Sequence, residues 1–246
     1  MEPLTGKKIF VLYPDEDIRD IFYGSLRNQF AIYYMYDYEK VKALLEYYPG
    51  SIIIMNLVNN ELGWLPEEIN GGLKTLPKDN KPKTIALYDN EKPLYGSCTR
   101  SIQYQGNRED LKAELKDLFV EYGGRGRRNF VRYGGSGEEI ASMKIVTKAG
   151  VLPAIVHDIS ASGLSCSIAQ ASEIDTGIKL AVRLILEGKT VEFYSTKILE
   201  RKFGENPVHV LKFEDSMSEN AKADLLHFIY SSLDSKMQEF IKNLSN

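Results

Sequence analysis

Cysteine is almost missing from this chain: Cys98 and Cys166 are the only two in 246 residues. Two thiols so far apart make neither a disulfide framework nor a zinc-ligand spacing, and they fit a reducing compartment with one buried thiol in each half. Histidine is as scarce, and His157, His209 and His227 stand without a cysteine or carboxylate ligand pattern, so no metal is expected. No apolar run approaches the ~18–20 residues of a membrane span. The start, MEPLTGKKIF, lacks a basic stretch leading into an apolar one, so neither signal peptide nor membrane anchor is expected and the chain is read as cytoplasmic. An excess of positive charge is missing too. With 31 basic against 34 acidic residues the net charge is -3, which argues against a general nucleic-acid binder or a partner for anionic membranes. P-loop, G-x-G-x-x-G and Ser-His-Asp order are all absent, and with no catalytic constellation the chain is not expected to be an enzyme.

What is present is enough apolar residue, 43%, for each half of a two-domain chain to bury a core. The run Lys8–Tyr13 is short, apolar and stopped by Pro14, as a buried strand would be. Asp15 to Asp17 can cap one helix carrying Ile18, Ile21, Phe22 and Leu26. Further strands are expected at Ala31–Tyr36, Ser51–Leu57, Thr84–Tyr88 and Ser101–Tyr104. A helix with Val41, Leu44 and Leu45 separates two of them, and another runs from about Arg108 to Glu121. This alternation predicts a parallel sheet with helices on both faces over residues 1–122.

Over roughly residues 7–122 the order resembles the receiver domain of response regulators. The chemistry of a receiver is not matched. Tyr13-Pro14 stand where receivers carry an acidic pair, Asn56 stands at the phospho-acceptor position, Tyr88 at the hydroxyl position and Gln105-Gly106 at the lysine-proline. An amide is neither a phosphoryl nucleophile nor an acidic Mg²⁺ ligand. The resemblance therefore implies a pseudo-receiver, an interaction or dimerisation module without phosphorylation.

Residues 123–137 read as a linker. Arg125, Arg127, Arg128 and Arg132 lie in eight residues without an acid, and glycines on both sides predict a mobile segment. Arginine offers a planar fork that meets phosphate or a guanine edge in two bonds, which lysine does not.

From residue 138 to 246 the pattern changes to period two. Ile178, Leu180, Val182, Leu184 and Leu186 alternate with more polar positions, and Glu187-Gly188-Lys189 forms a hairpin turn into Val191 and Phe193. Other strands are expected near Met143–Thr147, Leu152–His157, Leu164–Ile168 and Val208–Phe213. Six short strands without an intervening helix predict a closed antiparallel barrel. A long helix from Ser218 to Leu244 follows, its first turns able to plug the barrel and the rest able to dock on the first domain or on a second chain.

Between two of the barrel strands lies His157-Asp158-Ile159-Ser160-Ala161-Ser162-Gly163. Arg128-x-x-x-Arg132 followed by Asp158-x-Ser160-x-x-Gly163 at the entrance to a six-stranded barrel looks like the PilZ family, over roughly residues 125–235. That resemblance implies cyclic di-GMP as ligand. Arg128 and Arg132 would grip phosphate and the O6/N7 edge of guanine. Asp158 would accept from guanine N1–H and the amino group, Ser160 would offer its hydroxyl, and Gly163 would serve backbone geometry. In the family the residue before the first motif arginine goes with ligand number, and Arg127 there implies a stacked pair. The expected function is an effector in which the ligand changes domain arrangement and binding to an unidentified protein partner. A homodimer through the C-terminal helix or the N-terminal domain is compatible with the pattern. The alternative is a constitutive interaction scaffold with a vestigial barrel.

Overall fold

The structure, a computed structural model, describes residues 6–58, 65–74, 76–90, 98–135, 137–147, 150–168, 174–203 and 206–244. It divides into two compact units, residues 1–131 together with 234–246, and residues 132–233. The segment 123–137, expected as a linker, is thus shared between the units. So is the C-terminal helix, whose first turns were expected to plug the barrel and whose later turns were expected to dock on the first domain or on a second chain.

The first unit contains, in chain order, β1 (Ile9–Leu12), α1 (Glu16–Phe22), α2 (Ser25–Gln29), β2 (Ile32–Met35), α3 (Tyr38–Tyr47), β3 (Ile52–Asn56), α4 (Leu65–Leu73), β4 (Lys83–Tyr88), β5 (Arg100–Gln103) and α5 (Arg108–Glu121). The five strands pair in parallel in the order β2-β1-β3-β4-β5. That is the flavodoxin-like doubly wound order, whose strand order reverses between β1 and β3. β3 lies at the centre with all five residues buried, which explains why its isoleucine run needs no polar alternation.

Two elements differ from the sequence expectation. The single helix expected after β1 is broken at Tyr23-Gly24, because Gly24 takes φ 75 and ψ -108, and α2 starts afresh behind it. This conformation is open to glycine and costly for other residues. The helix α4 was not expected, since Gly71-Gly72 at its end weaken helix propensity. Its signal was Leu65, Ile69 and Leu73, buried at four-residue spacing, with Glu67 and Glu68 in the first turn.

The second unit contains β6 (Arg132–Gly134), β7 (Ala141–Thr147), β8 (Gly150–Ser160), β9 (Gly163–Ile168), β10 (Lys179–Leu186), β11 (Lys189–Phe203), β12 (Asn206–Phe213) and the start of α6 (Glu219–Leu244). Strands β8-β7-β10-β11-β12-β9 form an antiparallel row, and β9 pairs back with β8, so six strands close into a barrel. Closure leaves the barrel without open edges. The seventh strand, β6, was not expected, being only three residues long. It pairs with β8 through Arg132↔Ser160, Tyr133↔Ile159 and Gly134↔Asp158, just beyond the last β7–β8 pair, Ala141↔Val156.

Alternation fills the barrel. Leu180, Val182, Leu184 and Leu186 of β10 are buried, whereas Ile178, expected among them, lies before the strand and is 42% exposed. The hairpin to β11 is turned by Glu187 and Gly188, both at positive φ, as a two-residue type I′ turn requires. Ser218 opens α6 by accepting the Ala221 N–H at 3.2 Å. Ala221, Leu225, Phe228 and Ile229 join the barrel core, and burying each of the larger ones contributes about 1.5–3 kcal/mol.

From Asp234 onward the helix belongs to the first unit. Asp234 pairs at 2.7 Å with Arg27, whose side chain is 7% exposed, and Phe240 meets the rings of Tyr47 and Tyr48. Met237 and Ile241 are buried, so this part of the stripe is covered within the chain. Among the described residues no helix is long and apolar enough to cross a membrane.

Candidate functional site

The segment of arginines is held at both ends. Gly124 N–H donates to the Phe119 carbonyl at 2.7 Å, closing α5, and Val131 N–H donates to the Asn28 carbonyl at 2.7 Å. These bonds bracket the stretch whose glycines predict a mobile segment. Between them the side chains of Arg125, Arg127 and Arg128 are exposed, and Arg125 donates to Asn129 Oδ1 at 2.6 Å. These three arginines belong to the first unit and Arg132 to the second.

Arg132 opens β6, and the β6–β8 register sets it beside the D-x-S-x-x-G loop. Its guanidinium donates from Nη1 to Asp158 Oδ1 at 2.7 Å. The pair is partly buried, with side-chain exposures of 34% for Arg132 and 17% for Asp158. The other carboxylate oxygen of Asp158, Oδ2, accepts from the Ser165 hydroxyl at 2.7 Å. The carboxylate is thus acceptor to a different donor on each oxygen.

Ser160 is placed otherwise than expected for a group facing a ligand. It is 2% exposed, and its hydroxyl donates to the Gly163 carbonyl at 3.1 Å, inside its own turn. Such local bonding is what serine does in turns generally. Gly163 is needed for close approach: a Cβ there would lie 2.4 Å from the Leu211 carbonyl oxygen of β12. Gly134 is needed twice over, by φ +88 and because a Cβ would lie 2.2 Å from the His157 carbonyl oxygen. Next to Asp158, His157 bonds the Glu138 carbonyl through Nδ1 at 2.6 Å and the Ser167 hydroxyl through Nε2 at 2.7 Å. Below the loop, burial first and the Asp158 charge second push the Cys166 thiol up to about 12, so it stays protonated.

Ser165, His157 and Gly134 were missed in the sequence. A serine in an alternating strand, a histidine before the motif and a glycine among many carry no local signal. The β6–β8 register brings Gly134 opposite Asp158 and the β8–β9 register brings Ser165 opposite it, while His157 is its neighbour in the chain.

At the switch point of the first unit, Asn56 is buried and its amide is engaged. Nδ2–H donates to the Tyr13 carbonyl at 3.1 Å and to Asp15 Oδ2 at 3.4 Å, while Oδ1 accepts from Val58 N–H at 3.3 Å. Asp15 also caps α1 by accepting from Ile18 N–H at 2.9 Å. Asp17 accepts from the Tyr104 hydroxyl at 2.6 Å and from Arg108 Nε at 2.7 Å, and these partners, Tyr104 foremost, hold its carboxyl below the usual range. Among the described residues no three His, Cys, Asp or Glu side chains gather as metal ligands would.

No family model matches the chain. No curated protein matches it either. Solved structures do. The inhibitor of motility MotI (DgrA) of Bacillus subtilis is 17% identical with a TM-score of 0.39, over 45% of this chain and 52% of that one. The PilZ domain of YcgR from Escherichia coli with c-di-GMP is 19% identical with a TM-score of 0.40, over 47% of this chain and 98% of that domain. A YcgR chain in complex with c-di-GMP is 16% identical with a TM-score of 0.41, over 49% of this chain and 51% of that one. The match thus spans about half the length of MotI and of that YcgR chain. At such identities and TM-scores the functional reading rests on the site's own residues.

Proposed function

We propose that this chain is a non-enzymatic, cytoplasmic effector that binds cyclic di-GMP through Arg127, Arg128, Arg132, Asp158, Ser160 and Gly163. The observation that carries the reading is the Arg132–Asp158 pair at 2.7 Å, created by the β6–β8 register from two motifs 26 residues apart in sequence. A guanidinium fork for phosphate or guanine O6/N7 and a carboxylate for guanine N1–H and N2–H stand side by side, matching both edges of one base. Arg128, exposed in the preceding segment, adds a second fork for the phosphates. Ser160 and Gly163 act through the backbone of the loop, in keeping with a hydroxyl turned to the Gly163 carbonyl.

The first unit acts as a pseudo-receiver, an interaction module without phosphoryl chemistry. Asn56 at the end of β3, tied to Tyr13 and Asp15, supports this. Ligand contacts in residues 125–132, where the two units share the chain, shift the domain arrangement and with it the affinity for a protein partner. The alternative, a constitutive scaffold with a vestigial barrel, draws on one observation: Ser160 is enclosed in its own turn. Calorimetry of the full chain with cyclic di-GMP, GTP and a short oligonucleotide separates the readings. Binding of cyclic di-GMP alone, abolished in an Arg128→Ala, Arg132→Ala double variant, is expected. Unchanged affinity in that variant would sink the site assignment.

A further inference from the structure

Asp158 has two protein partners of different kinds. Arg132 reaches Oδ1 from the three-residue strand β6, and Arg132 is itself a proposed ligand contact. A ligand that draws this fork to phosphate or guanine would take the bond from Asp158. Ser165 reaches Oδ2 from β9, a strand paired on both sides, where Ser165 stands opposite Asp158 of β8 and Val210 of β12. At 5% exposure and fixed between two ladders, Ser165 cannot follow the ligand.

This asymmetry matters because nothing intrinsic fixes a carboxylate plane. The terminal torsion of aspartate is broad, so only hydrogen bonds hold the two oxygens in place. Guanine presents N1–H and N2–H side by side, and both are satisfied only by a carboxylate whose two oxygens face that edge together. Each oxygen has two lone pairs, so Oδ2 can keep Ser165 and still accept from the base, while Oδ1 is released by Arg132.

Building on the cyclic di-GMP reading, we infer that Ser165 is a positioning residue that holds the Asp158 carboxylate toward the base while Arg132 is exchanged, and so sets the preference for guanine. Ser165 lies outside both sequence motifs and touches no ligand itself. Its effect is exerted through the second hydrogen bond of the base, the one made by the exocyclic amine. A hypoxanthine base, which keeps N1–H and lacks that amine, is the probe that isolates it.

The test is calorimetry of the full chain, unmodified and as Ser165→Ala and Ser165→Thr, against cyclic di-GMP and its inosine analogue, with thermal melting to confirm folding. Ser165→Ala should weaken cyclic di-GMP about tenfold and the inosine analogue less, the scale of one charge-assisted hydrogen bond. The guanine preference should therefore shrink in the alanine variant and return in the threonine variant, which keeps the hydroxyl. Wild-type affinity for cyclic di-GMP in Ser165→Ala, or an equal loss for both ligands, overturns the positioning role while leaving the receptor reading intact. An unmodified chain that binds neither ligand rejects the receptor reading itself, and this inference with it.

Discussion

The Arg132–Asp158 pair allows a prediction whose sign differs between two experiments. In the free chain the two side chains stabilise each other at 2.7 Å, with exposures of 34% and 17%. Partial exposure discounts the interaction, and ~1 kcal/mol is a reasonable size for its coupling. In a double-mutant cycle on stability, Arg132→Ala and Asp158→Ala each lose this coupling, and the double variant loses it once. The double variant should therefore be less destabilised than the sum of the singles by ~1 kcal/mol. Binding reverses the sign. Each single variant loses its own ligand contact, worth roughly 1.5–3 kcal/mol, and is spared the cost of separating the pair. The double variant loses both contacts and is spared that cost only once, so its loss of affinity should exceed the sum of the singles by about fivefold. Urea denaturation and calorimetry on the same four proteins measure both cycles. Additive affinities beside non-additive stabilities would show that the pair survives in the complex and would refute the exchange. Single variants that bind as the unmodified chain does would refute the site.

Three further outcomes are expected. Acetyl phosphate with Mg²⁺ should leave no adduct on the first unit by intact mass, because the Asn56 amide is engaged with Tyr13 and Asp15; a phospho-aspartate there would overturn the pseudo-receiver. His209 is fully buried, and burial foremost, then Lys197, lowers its pKa below the ordinary 6.5, against a smaller upward pull from Glu200. The unfolded chain then binds more protons below about pH 6.5, so the melting temperature should fall as pH drops through that value toward the lowered folded pKa, and His209→Gln should remove the slope; a flat profile would refute this. Titration well above the dissociation constant should give two ligands per chain, falling toward one in Arg127→Leu, since four phosphate charges need more than two arginines; a one-to-one endpoint for the unmodified chain would reject the stacked pair.

Strong periodicity was legible and short or interrupted elements were not. The helix α5 falls on residues 108–121 as its Leu111, Leu115, Leu118 and Phe119 spacing demanded, and the hairpin turn expected at Glu187-Gly188-Lys189 is present at Glu187 and Gly188. The break at Gly24 was hidden because Leu26 continues the apolar spacing past it, and a single torsion decides the matter. Along β11, alternation brings Phe193, Ser195 and Lys197 to the buried face until the register shifts between Lys197 and Leu199. That irregularity turns both Ile198 and Leu199 to solvent and lets Glu200 reach the Lys197 ammonium at 2.8 Å. A lysine 3% exposed, with the Ile174 carbonyl as its second acceptor, is not something a period-two reading finds. Propensity describes residues one at a time, whereas a bulge is a property of two strands.

The same distinction governs the candidate site. Arg132, Asp158 and Gly163 were singled out by the resemblance of their two motifs to the PilZ family, yet a motif says nothing of how near they come to one another. That distance is set by β6, which takes the place beside β8 that β7 leaves at Val156. A three-residue strand contributes little free energy of its own and persists because Gly134 lets its backbone approach the His157 carbonyl more closely than any Cβ would permit. Gly163 performs the corresponding service against Leu211 on the other side of the loop. The loop is thus fixed between two backbones by two glycines, and His157 holds the adjoining strand to Glu138 and Ser167. On the proposed reading, a ligand that competes for Asp158 and Arg132 would replace one side-chain pair and leave the loop in position, because what fixes the loop is backbone contact.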